Sequence, residues 1–168
     1  DVERWATLTT RDDPPVPHDY LVYAVDKDVS LLNPDILANN SNIKPIEGDF
    51  ETRIIPRFVD LIWAHDSFQY ARSPLETLAH WNLIMREDAM LCLEVPYDHD
   101  IINFAYESRI DTTSRSGCYF NYSPANLILL LASSGFDCRG GHFRFHPTIK
   151  WIQAAVYKVC EPQTNMDW

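Results

Sequence analysis

The sequence predicts an α/β domain built on an open, mostly parallel sheet that closes with an antiparallel hairpin. Three runs are apolar and rich in β-forming residues, as is typical of strands covered on both faces: Tyr20–Val25, Val59–Ala64 and Met90–Val95. Two amphipathic stretches begin with a proline that follows a serine, which predicts helices starting at Pro74 and Pro124. Strands that alternate with helices in this way form a sheet layered with helices.

A length of 168 residues suits one domain with a single core, and 46% of the residues are hydrophobic. We expect an irregular N-terminal segment at 1–19, an α/β domain at 20–160 and a short tail at 161–168. Three prolines in the first segment exclude a regular helix or central strand around them, whereas residues 3–10 have a strand-like composition. The chain opens with Asp1 rather than Met, so we expect that residues upstream have been removed.

Shorter elements complete the predicted sheet. We expect a brief helix at Asp35–Asn39, a strand containing a proline at Ile43–Ile46, and a further helix at Ile101–Tyr106. Near the end of the chain, His142–Phe145 and Trp151–Val159 are predicted to form the closing antiparallel hairpin.

Charge and cysteine content exclude several classes of protein. The formal net charge is −10, from 14 basic and 24 acidic residues, so non-specific nucleic-acid binding is not expected. No run of about 20 apolar residues predicts a membrane helix. The four cysteines form no C-x-x-C pair and are too sparse for a disulfide scaffold, and we predict no metal site. Reduced cysteines and the lack of a signal segment predict a cytoplasmic protein.

The polar residues that follow the predicted strands are the first candidates for a functional site. In an open α/β sheet, ligands bind at the carboxyl ends of the parallel strands. Asp26 ends the first apolar run, Asp49 follows the short second strand, and His65 and Asp66 follow the next buried strand. A histidine beside a carboxylate can act as a general base near neutral pH, and an ordinary loop histidine explains the pair equally well.

These strand ends resemble those of the class I, Rossmann-like methyltransferases that use S-adenosylmethionine. Asp26, in AVDKD, resembles the acidic residue ending that family's second strand, which implies that it holds the ribose hydroxyls of the cofactor. Gly48, Asp49 and Phe50, in EGDF, resemble the G-D-x element after the third strand. The resemblance implies that Asp49 accepts a hydrogen bond from the adenine amino group and that Phe50 covers the ring. A turn role for either aspartate and a core role for Phe50 are the alternatives.

The resemblance continues along the chain. Asp60–Tyr70 resembles the family's fourth strand and its loop, and Leu75–Pro96 resembles the following helix, turn and fifth strand. The turn, Met85–Ala89, lacks the two glycines that are usual there. The last helix and the closing hairpin of the family resemble Tyr122–Phe136 and Trp151–Lys158. No single element is decisive, and it is the order and spacing of all of them that carry the resemblance.

The resemblance also implies roles for the loop after the fourth family strand. His65 and Asp66 would face substrate and cofactor as candidate catalytic residues, and His65, Gln69 and Tyr70 would line the cofactor site. Methyl transfer is an in-line displacement that needs alignment and exclusion of water more than acid–base chemistry, so the sequence does not identify the acceptor. The segment that would form the acceptor pocket contains Tyr97, Arg109 and Tyr122.

One part of the family pattern is missing. The family's first strand ends in a glycine-rich E/D-x-G-x-G loop against the methionine part of the cofactor, whereas the first glycine of this chain is Gly48. Only the nine residues Arg11–Asp19 separate residues 3–10 from the first buried strand, fewer than the dozen or so that a parallel crossover needs. Either that segment has been removed, or the protein has dispensed with cofactor binding. We expect residues 3–10, a partner chain or an oligomer contact to fill the position of the first strand.

Two functions therefore stay open. The first is an S-adenosylmethionine-dependent methyltransferase acting on a small molecule or another unknown acceptor. The second is a catalytically inactive methyltransferase-like domain that serves as a structural or assembly subunit of a larger complex. A module that binds another adenosine nucleotide through Asp26 is a third and weaker interpretation.

Overall fold

The computed structural model describes residues 20–56, 58–97, 120, 122–146 and 151–159. The chain divides into two compact units, Asp1–Ile55 and Pro56–Trp168, which we call unit 1 and unit 2. The domain boundaries expected at residues 19 and 160 stay a prediction. Other expectations that lie outside the described residues concern the strand-like segment 3–10, the helix at Ile101–Tyr106 and the acceptor-pocket residue Arg109.

Unit 1 contains a two-stranded parallel sheet. Its strands are β1 (Val22–Asp26) and β2 (Ile43–Glu47), and the chain between them includes the helix α1 (Pro34–Asn39). The pairing is continuous along all five residues of each strand, so the two carboxyl ends lie side by side. Pro45 is tolerated because β2 is an edge strand of this sheet, where a missing N–H donor costs little. The parallel direction agrees with the sequence prediction.

Unit 2 contains, in chain order, β3 (Val59–His65), α2 (Pro74–Ile84), β4 (Met85–Pro96), α3 (Pro124–Ser133), β5 (Phe136–His146) and β6 (Trp151–Lys158). The strands form one sheet with the order β3-β4-β6-β5. β3 and β4 are parallel, whereas β6 pairs antiparallel with both β4 and β5. The closing hairpin is thus present, and the sheet is mixed: among the described strands, β3, β4 and β5 run in one direction, whereas β6, between β4 and β5, runs in the opposite direction.

The two helices described in unit 2 pack on the sheet and on each other. α2 contacts β4 and α3, and α3 contacts β5. Successive side chains of a strand point to opposite faces, and from Ala89 to Val95 in β4 and from Ile152 to Val156 in β6 every second side chain is buried while those between are at least partly exposed. The buried set forms the centre of the core: Leu91, Leu93, Val95, Ile152, Ala154 and Val156.

Local capping explains where α3 begins and ends. The Ser123 hydroxyl oxygen accepts a hydrogen bond from the Asn126 backbone nitrogen at 3.2 Å, as an N-cap should. Gly135, at φ 86°, ends α3 in the left-handed conformation that glycine permits. α2 also begins where predicted, but the Ser73 side chain makes no cap hydrogen bond; its carbonyl accepts one from the Thr77 backbone nitrogen at 2.9 Å.

β4 begins earlier than the sequence predicts. Val59 pairs with Met85, and Leu61 pairs with Met90. Residues 86–89 of β4 therefore bulge out of the ladder opposite a single residue of β3. Asp88, at φ 61°, lies within this bulge. The segment that resembled a separate turn is therefore an irregular first part of the strand.

β5 carries a second bulge, between Asp137 and His142. Asp137 Oδ1 accepts hydrogen bonds from the backbone nitrogens of Gly140 at 3.1 Å and Arg139 at 2.8 Å. These bonds stabilise the charged form and hold the pKa of the Asp137 carboxyl below its usual range. Gly141 completes the bulge, close to the backbone and side chains of β6.

Candidate functional site

The carboxyl ends of β1 and β2 bring predicted site residues together in unit 1. Asp26 is the last residue of β1, and its backbone oxygen accepts a hydrogen bond from the Gly48 nitrogen at 2.9 Å. Its Oδ1 accepts another from the Asp28 backbone nitrogen at 2.9 Å, and the residue is exposed. A carboxylate has about four acceptor positions, so Asp26 can accept further hydrogen bonds from a diol.

Asp49 is held within the same edge of unit 1. Its Oδ1 accepts a hydrogen bond from the Glu51 backbone nitrogen at 3.0 Å, and its Oδ2 lies 3.0 Å from Lys27 Nζ. Because Lys27 follows β1 and Asp49 follows β2, this ion pair links the two strand ends. Phe50 is half-buried in the turn after Asp49. Sequence reasoning missed Lys27, although its position directly after a strand end was a usable signal.

At the end of β3, His65 belongs to a polar cluster that crosses three strands of unit 2. His65 Nε2 lies 3.1 Å from Glu94 Oε1, and Gln153 Nε2 donates a hydrogen bond to Glu94 Oε2 at 2.6 Å. The His65 and Trp151 rings are parallel within 2°, with centroids 6.0 Å apart. The strand register sets His65 beside Glu94, and Glu94 beside Gln153, on one face of the sheet. Sequence reasoning missed these three partners, because pairing between distant strands leaves no local signal.

The loop after β3 is organised by Asp66 and Gln69. Asp66 has a φ of 49°, in the left-handed region that aspartate tolerates, and its nitrogen donates to the Glu94 carbonyl at 3.1 Å. Gln69 Nε2 donates a short hydrogen bond to Asp66 Oδ1. Gln69 is only 1% exposed, and its Oε1 is buried without a hydrogen-bond partner in the described part of the chain. An unmet acceptor therefore lies next to the exposed Asp66 carboxylate.

Phe68 fixes this loop to the core. It is fully buried, with its ring centroid 5.3 Å from that of Tyr122 and 5.5 Å from that of Trp81. The Tyr122 hydroxyl donates a hydrogen bond to the Phe68 carbonyl at 3.4 Å, and burial raises the pKa of Tyr122, so the hydroxyl stays protonated. Tyr70 is half-buried at the end of the loop. Tyr122 and Tyr97, which the resemblance placed at an acceptor pocket, are both buried.

The two groups of residues offer different chemistry. Unit 1 presents carboxylates and a lysine, suited to hydroxyl and amino groups. Unit 2 presents an oriented histidine, as a general base requires, and a carboxylate beside an amide. Over the ranges that the structure describes, no group of three or more His, Cys, Asp or Glu side chains is placed to hold a metal ion. None of the helices in those ranges has the length and apolarity needed to span a bilayer.

Solved structures share the fold of this chain. A chain of the complex between the Haloferax volcanii Trm112 methyltransferase activator and a putative methyltransferase aligns with a TM-score of 0.60 at 14% identity, over 82% of this chain and 72% of that one. A putative methyltransferase from Bacillus halodurans C-125 gives 0.64 at 8% identity, over 83% and 82%. Human N-acetylserotonin methyltransferase in complex with SAM gives 0.56 at 16% identity, over 83% and 41%.

These likenesses show a methyltransferase-type α/β fold. No family model matches the sequence, and no curated protein matches it. The chain spans less than half the length of the human enzyme.

Proposed function

We propose that the chain is a methyltransferase that uses S-adenosylmethionine and acts on an unknown acceptor. The observation that carries this proposal is the strand-end arrangement of unit 1, where the exposed Asp26 carboxylate ends a parallel strand beside the backbone of Gly48. Likeness in fold to a methyltransferase that contains SAM supports the proposal.

The residues of unit 1 fit the adenosyl end of this cofactor. Asp26 can accept hydrogen bonds from two adjacent ribose hydroxyls, and Gly48, Asp49 and Phe50 are proposed to bind the adenine side. No E/D-x-G-x-G stretch occurs in the chain, so the residues present suit the adenosine part rather than the methionine part. The cofactor supplies a methyl group ready for in-line displacement, and the chain's task is to align the acceptor and exclude water.

In the proposed reaction, His65 receives the proton that the acceptor loses, and Asp66 is the second candidate for this role. Glu94 and the stacked Trp151 hold the His65 ring in one orientation, which a general base needs. Asp66 offers an exposed carboxylate one residue further along. Tyr70, half-buried at the end of the same loop, stays a predicted cofactor residue.

Calorimetric titration with S-adenosylmethionine and with S-adenosylhomocysteine tests this function. We expect the wild-type protein to bind both ligands and Asp26→Asn to bind them about tenfold to a hundredfold more weakly, because hydrogen bonds to a charged acceptor contribute about 1.5–3 kcal/mol. Asn keeps the oxygen that accepts from the Asp28 nitrogen, so the turn itself should survive.

Asp35→Asn is the matched control, because Asp35 is an exposed acid of the same unit in the first turn of α1. It should leave affinity unchanged. Equal losses in the two variants would contradict the assignment of Asp26. Binding of ADP or adenosine without binding of S-adenosylmethionine would favour the nucleotide-binding module instead.

A catalytically inactive subunit is the second candidate function. The absence of the glycine-rich motif from the sequence favours it, and one similar structure is a complex with a methyltransferase activator. In this case the fold would serve as a platform for a protein partner or a second copy. No heat with either ligand at millimolar concentration, together with a stable hetero-complex or oligomer in light scattering, is the outcome that this candidate predicts.

A further inference from the structure

β5 lies at the end of the row of strands in unit 2, and its outer edge is open among the described strands. It pairs only with β6, so the backbone groups on its other side have no strand beside them in the part of the chain that the structure describes. From His142 to His146, beyond the bulge, four of the five side chains are exposed. An exposed strand edge of this kind is a template for pairing with another chain.

The two faces of this edge differ in chemistry. Successive side chains of a strand point to opposite faces, so three basic residues share one face: His142, Arg144 and His146. The other face carries Phe143 and Phe145, and Phe145 is 44% exposed. No acidic residue lies between His142 and His146, whereas the chain as a whole has a net charge of −10. The edge is therefore basic on one face and apolar on the other, in a chain that is acidic.

The charge of the edge discriminates between occupants. If two copies of the chain paired edge to edge, the same basic side chains would face one another, and like charges directly opposite destabilise a sheet. An acidic strand forms opposite-charge pairs with Arg144 instead. A nucleic acid is attracted by Arg144 but repelled by the net charge of the chain. An acidic strand is the occupant that this edge fits best.

We propose that β5 binds an extended segment of a partner protein as a further strand, and that acidic and apolar residues alternate in this segment. The acidic residues lie beside Arg144, and the apolar residues lie beside Phe145. Main-chain hydrogen bonds give affinity in this mode of recognition, and the alternating side chains give specificity. The proposal is independent of methyl transfer, because the edge needs no cofactor to bind a strand.

Fluorescence anisotropy with a labelled synthetic peptide tests the proposal on the wild-type chain. We expect saturable binding of a peptide in which glutamate and valine alternate, and no binding of one in which lysine replaces glutamate. The glutamate peptide with every backbone nitrogen methylated keeps its charges but lacks N–H donors. It should therefore not bind, because strand addition depends on the main chain.

Arg144→Glu should weaken binding of the glutamate peptide roughly threefold to thirtyfold, because a like-charge pair replaces an opposite-charge pair. Lys44→Glu is the matched control. Lys44 is exposed on β2, an edge strand of unit 1, so the same change in net charge is made on an edge that is not proposed to bind. Both variants should keep the far-UV circular dichroism spectrum of the wild type, since both side chains are exposed.

Hydrogen–deuterium exchange locates the bound peptide. It should slow exchange in β5 and leave β3, at the opposite end of the same row, unchanged. The proposal is overturned if the methylated peptide binds as well as the unmethylated one, if the two variants have equal effects, or if protection appears in β3 instead. Dimerisation of the wild type that Arg144→Glu abolishes identifies a second copy as the occupant, and tighter binding of a thymidine oligonucleotide identifies a nucleic acid. Either result also overturns the acidic partner.

Discussion

Gly141→Ala tests the packing of the bulge in β5. A Cβ at this position would lie 2.7 Å from Val156 Cγ1, 3.0 Å from the Asp137 carbonyl oxygen and 3.2 Å from the Ala155 carbonyl oxygen. Two of these atoms belong to the sheet backbone and cannot move without breaking the ladder. The remaining atom, Val156 Cγ1, belongs to a fully buried side chain that is branched and stiff.

The expected loss of stability follows from these distances. Overpacking a close-packed core costs about 1–3 kcal/mol, and replacing glycine returns about 0.4–1 kcal/mol by restricting the unfolded chain. The net loss is therefore between about 0 and 2.6 kcal/mol, with a central value of about 1.3 kcal/mol, which lowers the thermal midpoint of a chain of this size by roughly 3–5 °C. Urea and thermal unfolding followed by far-UV circular dichroism measure both quantities.

A double-mutant cycle with Val156→Ala isolates the contact. Removing the Val156 methyl groups should make Gly141→Ala less costly, with a coupling of about 0.5–3 kcal/mol. In the neighbouring Gly140→Ala, the added Cβ meets the hydrogen-bonded Asp137 carboxylate and not Val156, so its cost should be the same in both backgrounds. Wild-type stability for Gly141→Ala, or the same cost in both backgrounds, would refute the reasoning.

Three further predictions concern unit 2. Leu131→Ala, in the buried face of α3, should lower the free energy of unfolding by about 2–5 kcal/mol in urea, whereas Leu129→Ala, 57% exposed on the same helix, should change it by less than about 0.5 kcal/mol. Ser123→Ala should cost about 1 kcal/mol in the same assay through loss of the N-cap. The folded protein lowers the pKa of the Asp137 carboxyl, so the ionised carboxylate stabilises the folded state. This contribution is fully present above about pH 4, the pKa in the unfolded chain, and is lost as the pH falls through the lower pKa of the folded state. Asp137→Ala should therefore be less stable than the wild type at pH 7, and thermal melts at decreasing pH should show the gap closing.

Local signals in the sequence predicted where elements begin and end. A proline after a serine placed the starts of α2 and α3, and Gly135 ends α3 with a positive φ. Short apolar runs predicted the strands β1 and β3 and, with them, the position of Asp26 and His65 at strand ends, although only one side chain in each of these strands is buried. These features depend on a few neighbouring residues, so one sequence is enough to find them.

Pairing between distant segments could not be predicted. The antiparallel hairpin was predicted, but nothing local indicates that β6 inserts between β4 and β5, so the sheet of unit 2 is mixed rather than purely parallel. The same register brings Glu94 beside His65 and Gln153 beside Glu94. The catalytic roles of His65 and Asp66 and the cofactor roles of the unit 1 residues stay predictions.

The ladder of unit 1 is short, and this has a consequence for how ligand binding can be observed. A pair of five-residue strands is marginal on its own, whereas β4 is flanked by strands on both sides. Deuterium should therefore replace the amide hydrogens of β2 well before those of β4. An adenosyl compound that binds only when β1 and β2 are paired, at a hundred times its Kd, would slow that replacement about a hundredfold, so exchange in this short ladder would report ligand binding.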